Sequence, residues 1–256
     1  MHVFAIQHNT IWEDAQANRD ALEGLLNQAH GACLIALPEM FTTGFSMNPA
    51  PLAEPAEGPT LQWMRQMSAQ HQAAIVGSII VRDGGQHLNQ MLFVTPDGRA
   101  VRYNKRHLFR MGGEHRHYSP GAQQVVAEHG GWRIRLLTCY DLRFPVWCRN
   151  RSNGYDLLVV CASWPAARTL AWETLLAARA IENQCYVVAC NRVGPDGHGV
   201  EHLGRSAIYS PWGERLVLAP DGQPAVIGAQ LDMQALRGFR ASFPVANDAD
   251  AFELLG

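Results

Sequence analysis

The sequence predicts an α/β fold in which many strands form one mixed sheet or two packed sheets. Short apolar runs of strand length recur along the chain, and several segments have apolar residues at helical spacing. Some strands alternate with helices, which favours parallel pairing, whereas others are joined by tight turns and must pair antiparallel. No repeat, linker or change in composition divides the chain. We therefore expect a single domain over residues 1–256, with an acidic tail from about residue 245.

The first half of the chain begins with a predicted strand at Val3–His8 and an amphipathic helix that starts near Asp14. Cys33–Leu37 is typical of a buried strand and is ended by Pro38. The other elements predicted here are a helix after Gly58-Pro59, a strand at Ala74–Val81, and a hairpin of Met91–Thr95 and Arg99–Lys105 around Pro96-Asp97-Gly98.

The second half contains the clearest helical pattern, from about Thr169 to Gln184, where apolar residues recur at i, i+4, i+7, i+8 and i+11. The strands predicted around it are Gly131–Cys139, Asp156–Ala162 and Cys185–Asn191, with a short helical stretch near Val146–Arg151 and a final hairpin of Ser206–Ser210 and Glu214–Ala219.

Composition excludes several classes of protein. The 21 Lys and Arg residues against 23 Asp and Glu give a net charge of −2, so we expect no nucleic-acid partner and no attraction to an anionic membrane. No apolar run approaches the roughly 18 residues of a membrane span. The first residues lack a secretory signal, and the six cysteines form no CxxC pair. These features predict a reduced, cytoplasmic protein.

Three predicted strands end in a chemically reactive side chain. Glu39 follows the strand that ends at Leu37, Lys105 ends the first hairpin, and Cys139 ends the strand that begins at Gly131. Ligand sites of α/β proteins lie in the crevice at strand ends, where a side chain is held rigidly and still faces solvent. The sequence thus places three candidate catalytic groups where a site is expected.

These three residue types suit the hydrolysis of a carbon–nitrogen bond. A cysteine attacks as thiolate, and its free pKa of about 8.5 must be overcome by a base or a cation. Glu39 is a candidate for the base that takes the thiol proton and returns it to a departing amine. Lys105 and the backbone N–H of Tyr140 are candidates to stabilise the oxyanion. Each residue also has a purely structural interpretation, with Cys139 as a core filler, Glu39 at a helix start and Lys105 as a solvated hairpin end.

The segments that contain these residues resemble the nitrilase superfamily, the carbon–nitrogen hydrolases. The similar segments are Pro38 to Phe41, Tyr103 to Phe109, Cys139 to Pro145, Arg179–Asn183, Asn191–Gly194 and Gly204–Gly213, so that the resemblance extends from Val3 to about Asp232.

This resemblance implies a four-layer α-β-β-α sandwich with mixed sheets and a catalytic set of Glu39, Lys105 and Cys139. It also implies a supporting role for Glu114, which would orient Lys105 and the amide group of the substrate. The expected assembly is a homodimer or a higher homo-oligomer.

Within the superfamily, the chain is most similar to the bacterial omega-amidases, which hydrolyse the terminal amide of 2-oxoglutaramate and related monoamides such as succinamate. A substrate of this kind needs a cation for its far carboxylate, and Arg168 is the predicted residue because a guanidinium binds a carboxylate with two hydrogen bonds. Trp164 and Phe41 are predicted apolar walls. Arg110 is the alternative candidate for binding this carboxylate. We expect Arg143 and Arg179 to have structural roles, paired with acids such as Asp141 and Glu182.

Other functions stay open at this stage. The Glu114 to His117 segment and the His198/His202 pair would suit a metal hydrolase, but the chain has no HExxH motif and we expect no metal. His107 would allow a Cys–His hydrolase, and a non-catalytic binding protein or another amidase or nitrilase of the superfamily are further alternatives. No glycine-rich phosphate loop follows a strand, so we expect no cofactor.

Overall fold

The computed structural model describes residues 1–254 and contains two mixed β-sheets. The first sheet has the order β13-β1-β2-β4-β5-β6, with β3 paired to the far end of β4. Its centre, β1-β2-β4, is parallel, and its remaining neighbours in that order are antiparallel. Its strands are β1 (His2–Gln7), β2 (Leu34–Ala36), β3 (Glu54–Pro55), β4 (Ala74–Asp83), β5 (Gln86–Val94), β6 (Ala100–Asn104) and β13 (Ala225–Gln230).

The second sheet repeats this plan, with a parallel centre and antiparallel edges. Its order is β12-β11-β10-β9-β8-β7, in which β8, β9 and β10 are parallel. Its strands are β7 (Val126–His129), β8 (Trp132–Thr138), β9 (Leu157–Ala162), β10 (Tyr186–Asn191), β11 (Ala207–Tyr209) and β12 (Arg215–Leu218).

Six α-helices accompany the sheets in the described part of the chain, and the first starts as the sequence predicts. The Asp14 carboxylate accepts a 3.0 Å hydrogen bond from the Ala17 N–H and caps the first turn. The clearest predicted helix ends at Gln184, whose φ of 42° is left-handed. The helices are α1 (Ala15–Leu26), α2 (Pro49–Leu52), α3 (Pro59–His71), α4 (Pro145–Cys148), α5 (Thr169–Asn183) and α6 (Met233–Ser242).

Alternation along the strands produces four layers. In β1, Val3 and Ala5 face the second sheet, while Phe4 and Ile6 face α1 and α3. Residues of both sheets and of α5, such as Trp172 and Leu176, share one buried apolar cluster. The layers are therefore α1 and α3, the first sheet, the second sheet, and α5. This arrangement confirms the α-β-β-α sandwich that the sequence resemblance implied.

Several elements were not predicted from the sequence. The strands β3, β7 and β13 and the helices α2 and α6 were missed, because short or half-exposed elements give weak periodicity. β5 starts at Gln86 rather than Met91, since the chain reverses at Gly84-Gly85 and polar residues such as Asn89 occupy buried strand positions. The stretch predicted as helical near Val146–Arg151 is α4 followed by a separate 3-10 turn at Arg151–Asn153. Within the described residues, no helix has both the length and the apolar character needed to cross a bilayer.

Candidate active site

Three strand ends, from both sheets, converge at one edge of the sandwich. Glu39 follows β2 of the first sheet, Lys105 follows β6, and Cys139 follows β8 of the second sheet. The Glu39 N–H donates to the carbonyl of Ala162 at the end of β9, which joins the two sheets at this point. Met40 has a left-handed φ of 45°, and its N–H donates to the hydroxyl of Ser78. This turn lets the segment that contains Glu39 extend from the first sheet to the end of β9 in the second sheet.

Lys105 lies between two buried carboxylates. Its Nζ is 2.8 Å from Glu39 Oε1 and lies 3.0 and 2.8 Å from the two oxygens of Glu114. All three side chains are closed to solvent. The side-chain amide of Asn89 donates to both carboxylates, at 2.7 Å to Glu39 and 3.0 Å to Glu114. The structure thus brings Glu39, Lys105 and Glu114 into one hydrogen-bonded cluster.

Electrostatics in this cluster favour a charged lysine. Burial alone would lower the pKa of Lys105, but the carboxylates of Glu114 and Glu39 raise it above its usual value. Burial raises the pKa of Glu114, and the positive charge of Lys105 opposes that shift. Phe109 N–H also donates to Glu114, at 2.6 Å. The surroundings therefore favour the charged form of Lys105, and its Nζ donates to both carboxylates.

Cys139 occupies a strained position next to this cluster. It begins a 3-10 turn, Cys139–Arg143, with a left-handed φ of 45°, which is unusual for a residue with a side chain. Its Sγ lies 3.8 Å from the carbonyl oxygen of Ser163. Burial and the Glu39 carboxylate raise the pKa of the thiol, while Lys105 opposes the shift. These surroundings therefore favour the protonated form of the Cys139 thiol.

Asp141 connects the turn of Cys139 to the segment that carries Lys105. Its carboxylate accepts the Thr138 N–H at 3.0 Å, the Tyr103 hydroxyl at 2.6 Å, and both the N–H and Nδ1 of His107 at 2.9 and 2.8 Å. These bonds correct the predicted pairing of Asp141 with Arg143, because both carboxylate oxygens accept from Thr138, Tyr103 and His107 instead. His107 is thus bound to Asp141 rather than to Cys139.

A cavity of about 330 Å³ opens above Cys139. Its walls are largely apolar, with two arginines and two histidines among the polar groups. It is lined by Phe45, Met47, Phe109, Met111, Gly112, Cys139, Tyr140, Arg143, Ser163, Trp164, Pro165, Arg168, Asp196, His198, Val200 and His202. A small, mostly apolar molecule with one charged end fits such a cavity.

The predicted substrate residues divide between this cavity and the core. Tyr140, Trp164 and Arg168 line the cavity. Phe41 does not: it is fully buried between the first sheet and α3, with its ring 6.0 Å from that of Trp63. The left-handed turn at Met40 sends successive side chains in different directions, so Phe41 enters the core. Phe45 and Phe109 supply the apolar wall instead.

The arginines also differ from expectation. Arg179 pairs with Glu182 at 2.9 Å, as predicted, and Arg110 is exposed and does not line the cavity. Arg143 lines the cavity, with its guanidinium 4.9 Å from the centre of the Trp164 ring. Within residues 1–254, no carboxylate forms an ion pair with Arg143 or Arg168, although Asp196 lines the same cavity. The cavity therefore holds two guanidinium groups that no described carboxylate neutralises by direct contact.

Sequence reasoning missed further residues of the site. Asn89 was not predicted as a site residue, because a polar residue within an apolar run indicates the end of a strand rather than a buried strand position. Ser163 donates its N–H to Glu39 Oε2 at 3.0 Å, a backbone contact that no sequence motif reveals. The Ser163 hydroxyl lies 3.3 Å from His202 Nε2, and burial lowers the pKa of His202 to about 4. His198 and His202 lie in a loop rather than on a helix, and the described residues contain no group of three potential metal ligands.

Comparison with known proteins agrees with this geometry. The family model for carbon-nitrogen hydrolases matches residues 3–241. The chain belongs to the carbon–nitrogen hydrolase family. An omega-amidase of Yersinia enterocolitica is 48% identical over 250 residues, which cover 98% of this chain and 97% of the relative. A 2-oxoglutaramate amidase of Bacillus subtilis is 38% identical, with 85% of each chain covered.

A solved structure extends the similarity to three dimensions. A carbon–nitrogen hydrolase superfamily protein from Xanthomonas campestris, described with an arsenic adduct in its active site, has a TM-score of 0.97 and 43% identity, covering 99% of this chain and 98% of that one. These relatives confirm the predicted family and identify the chain as an amidohydrolase that acts on a small molecule.

Proposed function

We propose that this carbon–nitrogen hydrolase removes the terminal amide of a small dicarboxylic acid monoamide, such as 2-oxoglutaramate or succinamate. The observation that carries the proposal is the cavity above Cys139, which combines apolar walls with two arginines that form no ion pair with any carboxylate of residues 1–254. The names of the relatives, omega-amidase and 2-oxoglutaramate amidase, support the same substrate class.

In the proposed first half-reaction, Glu39 takes the proton of the Cys139 thiol as Sγ attacks the amide carbon. The carbonyl oxygen becomes an oxyanion, which Lys105 and the backbone N–H of Tyr140 stabilise. The C–N bond then breaks, and the departing nitrogen takes the proton from Glu39 and leaves as ammonia. The acid remains bound to Sγ as a thioester.

In the second half-reaction, Glu39 takes a proton from a water molecule, whose oxygen attacks the thioester carbon. The same oxyanion donors stabilise this tetrahedral intermediate, and its collapse breaks the C–S bond. Glu39 returns the proton to sulfur, which restores the thiol and frees the dicarboxylic acid. Glu114 keeps Lys105 in place during both steps, since it accepts two hydrogen bonds from Nζ.

We propose that Arg143 and Arg168 both hold the far carboxylate. Arg143 is four residues after Cys139 in the same 3-10 turn, so its distance from the nucleophile is set by that turn. Arg168 comes from the loop before α5 and contacts Met111 Sδ at 3.1 Å and the Phe109 ring across the cavity. Two guanidinium groups in a cavity with apolar walls favour a small substrate that carries a carboxylate over an uncharged aliphatic amide.

The substrate class is tested by ammonia release from succinamate, 2-oxoglutaramate and butyramide. Butyramide is the matched control, because it has the chain length of succinamate but a methyl group in place of the carboxylate. We expect kcat/KM for succinamate to exceed that for butyramide about a hundredfold or more, from charge-assisted hydrogen bonds worth about 1.5–3 kcal/mol each. Equal values for the two amides would contradict the proposed substrate class.

The roles of the arginines are tested by Arg143→Met and Arg168→Met. Each change should raise KM for succinamate at least about tenfold and leave the slow hydrolysis of butyramide unchanged. Arg110→Met is the control, since Arg110 is exposed and outside the cavity.

The thioester intermediate is tested by acid quenching during turnover with succinamate, followed by mass spectrometry. A succinyl group should appear on the peptide that contains Cys139, and a succinyl group on another residue would contradict the thioester mechanism.

A further inference from the structure

A second cavity, of about 440 Å³, lies on the second sheet beside β7 and β8 and shares no lining residue with the catalytic cavity. All of its charged lining residues are arginines: Arg135 on β8, and Arg149 and Arg151 in the segment after α4. Gln124 and Ser152 are polar lining residues that can donate hydrogen bonds. The reaction proposed above uses none of these side chains.

Arg135 is the unusual member of this arginine cluster. Arg135 is 3% exposed to solvent. Its guanidinium nevertheless makes a single hydrogen bond to the described residues, from Nη2 to the Trp147 carbonyl at 3.1 Å. Its guanidinium also lies 5.5 Å from the centre of the Trp147 ring. A cation removed from water is costly unless an opposite charge and further hydrogen bonds compensate it.

Two other groups of arginines in this protein have carboxylate counter-ions. Asp156 accepts from Arg133 and Arg240, and Arg205 is bound by Glu173 and Asp221.

The second cavity lacks such a partner. In the portion of the chain that the structure describes, Arg135, Arg149 and Arg151 form no ion pair with a carboxylate. Arg149 donates to the Glu182 carbonyl and Arg151 to the Phe252 carbonyl, in each case through Nη1 alone. Most of the N–H groups of the three guanidinium groups are left for a ligand.

We infer that this cavity binds a small oxyanion with two negative charges, either a phosphate group or a dicarboxylate. Guanidinium groups match the oxygens of both with paired hydrogen bonds, and one buried and two peripheral cations suit a dianion better than a monoanion such as chloride. The cavity has room for such a group.

Trp147 and two further hydrogen-bonded residues link this anion site to the turn that begins at Cys139. The Trp147 carbonyl accepts from Arg135, and the Trp147 indole N–H donates to the Tyr103 hydroxyl at 3.0 Å. The Tyr103 hydroxyl donates to Asp141, which caps the turn that begins at Cys139. An anion that neutralises Arg135 therefore stabilises the native state, including the segment behind Cys139, by a free energy that rises with the logarithm of the anion concentration once this exceeds the dissociation constant.

The test is isothermal titration of full-length Arg143→Met/Arg168→Met, in which the catalytic cavity should no longer bind succinate, with inorganic phosphate and, separately, with succinate. We expect one site per chain with a dissociation constant of about 1 mM or tighter for at least one of the two anions. Arg149→Gln/Arg151→Gln changes only half-buried and exposed side chains, and it should weaken that binding at least about tenfold. The ligand that binds more tightly identifies the source of the oxyanion.

Two controls separate this site from others. Arg82→Gln/Arg237→Gln removes the same charge from exposed positions outside the cavity and should leave binding within about twofold. Phosphate binding in the second cavity should also be the same in the unaltered chain and in Arg143→Met/Arg168→Met, so failure of the proposed substrate class is distinguishable from failure of this site. The inference is overturned if neither anion binds, if binding survives in Arg149→Gln/Arg151→Gln, or if it is lost in Arg82→Gln/Arg237→Gln.

Discussion

Cys139 is a thiol whose surroundings favour the protonated form, although it is the proposed nucleophile. Burial and the Glu39 carboxylate raise its pKa, and Lys105 only partly opposes them. In the proposed mechanism, reactivity at this residue therefore depends on proton transfer to Glu39 rather than on a thiolate that is already present. A neutral resting thiol also avoids a third negative charge beside Glu39 and Glu114.

We predict that alkylation by iodoacetamide inactivates the enzyme through Cys139 alone. Its rate should keep rising from pH 7 to about pH 9, because a raised pKa keeps the thiolate fraction small at neutral pH. Saturating succinate should protect Cys139 but not Cys33, which is half-exposed and outside the cavity. Peptide mapping at partial inactivation measures both. Activity that falls in step with modification of any other cysteine would contradict the assignment.

In the proposed mechanism, Glu39 and Lys105 act on groups that exist only during the reaction, so their removal should affect kcat more than KM. We expect Glu39→Gln and Lys105→Met each to lower kcat about a hundredfold or more. Glu114→Gln should be milder, since it leaves the reacting groups in place, and Glu128→Gln, at an exposed position, should have no effect. Thermal unfolding serves as a fold check, because loss of Lys105 leaves two buried carboxylates facing each other. Near-normal kcat values would contradict the mechanism.

At the scale of elements, the loop between β10 and β11 closes one side of the catalytic cavity. Val193 and Leu203 form a bridge at its base, and Asp196 accepts the N–H groups of His198 and Val200 at 2.8 and 2.9 Å. The His202 ring contacts the hydroxyl of Ser163, the residue that follows β9, and this contact connects the loop to the second sheet. Because the Ser163 N–H also donates to Glu39, the loop and the proposed base contact the same residue.

We predict that His202 makes the protein less stable in acid. Burial lowers its pKa to about 4, whereas an unfolded histidine titrates near 6.5. Between these values the unfolded state binds more protons, so the stabilisation is present above about pH 6.5 and is lost as the pH falls towards 4, by up to roughly 3 kcal/mol. In urea unfolding at pH 7 and pH 4.5, His202→Gln should reduce this loss. His198→Gln, at an exposed position, should not. Equal pH dependence in wild type and His202→Gln would contradict the prediction.

The molecule carries an exposed apolar surface on the outer side of the second sheet, away from the site that the two sheets form together. This apolar surface is formed by Ile181, Trp212, Phe239 and Phe243. The rings of Trp212 and Phe239 are 4.5 Å apart, and those of Phe239 and Phe243 are 6.4 Å apart. Ile181, Trp212 and Phe243 are exposed by 55, 47 and 61%. Exposed apolar patches of this kind mark interaction sites.

We predict that two copies of the chain associate through this apolar surface, as the family resemblance implies for a homo-oligomer. Trp212→Glu/Phe243→Glu places charges in the predicted interface and should convert the dimer to a monomer in light scattering after gel filtration. Val146→Glu/Leu170→Glu, which alters exposed apolar residues outside the apolar surface defined above, is the control and should stay dimeric. A dimer that survives the first pair of changes would place the interface elsewhere.

Sequence alone was sufficient for the family, the layered fold and the candidate catalytic groups. Apolar runs and turn residues are local signals, and they located most central strands because a buried strand has few other ways to satisfy its pattern. Glu39, Lys105, Glu114 and Cys139 stand in motifs that can be read without knowing where the strands lie. The edges of the sheets were missed, since β7 and β13 are half-exposed and carry little periodicity.

Only the tertiary structure decided which side chains face the cavity. Phe41 is two residues from Glu39, yet a left-handed turn at Met40 sends it into the core. Arg143 was expected to pair with Asp141, but Tyr103 and His107 occupy that carboxylate and leave the arginine to the cavity. Residue type and spacing determine which chemistry is available, because they are local properties. The direction of each side chain depends on contacts between residues far apart in the chain, and those exist only in the folded protein.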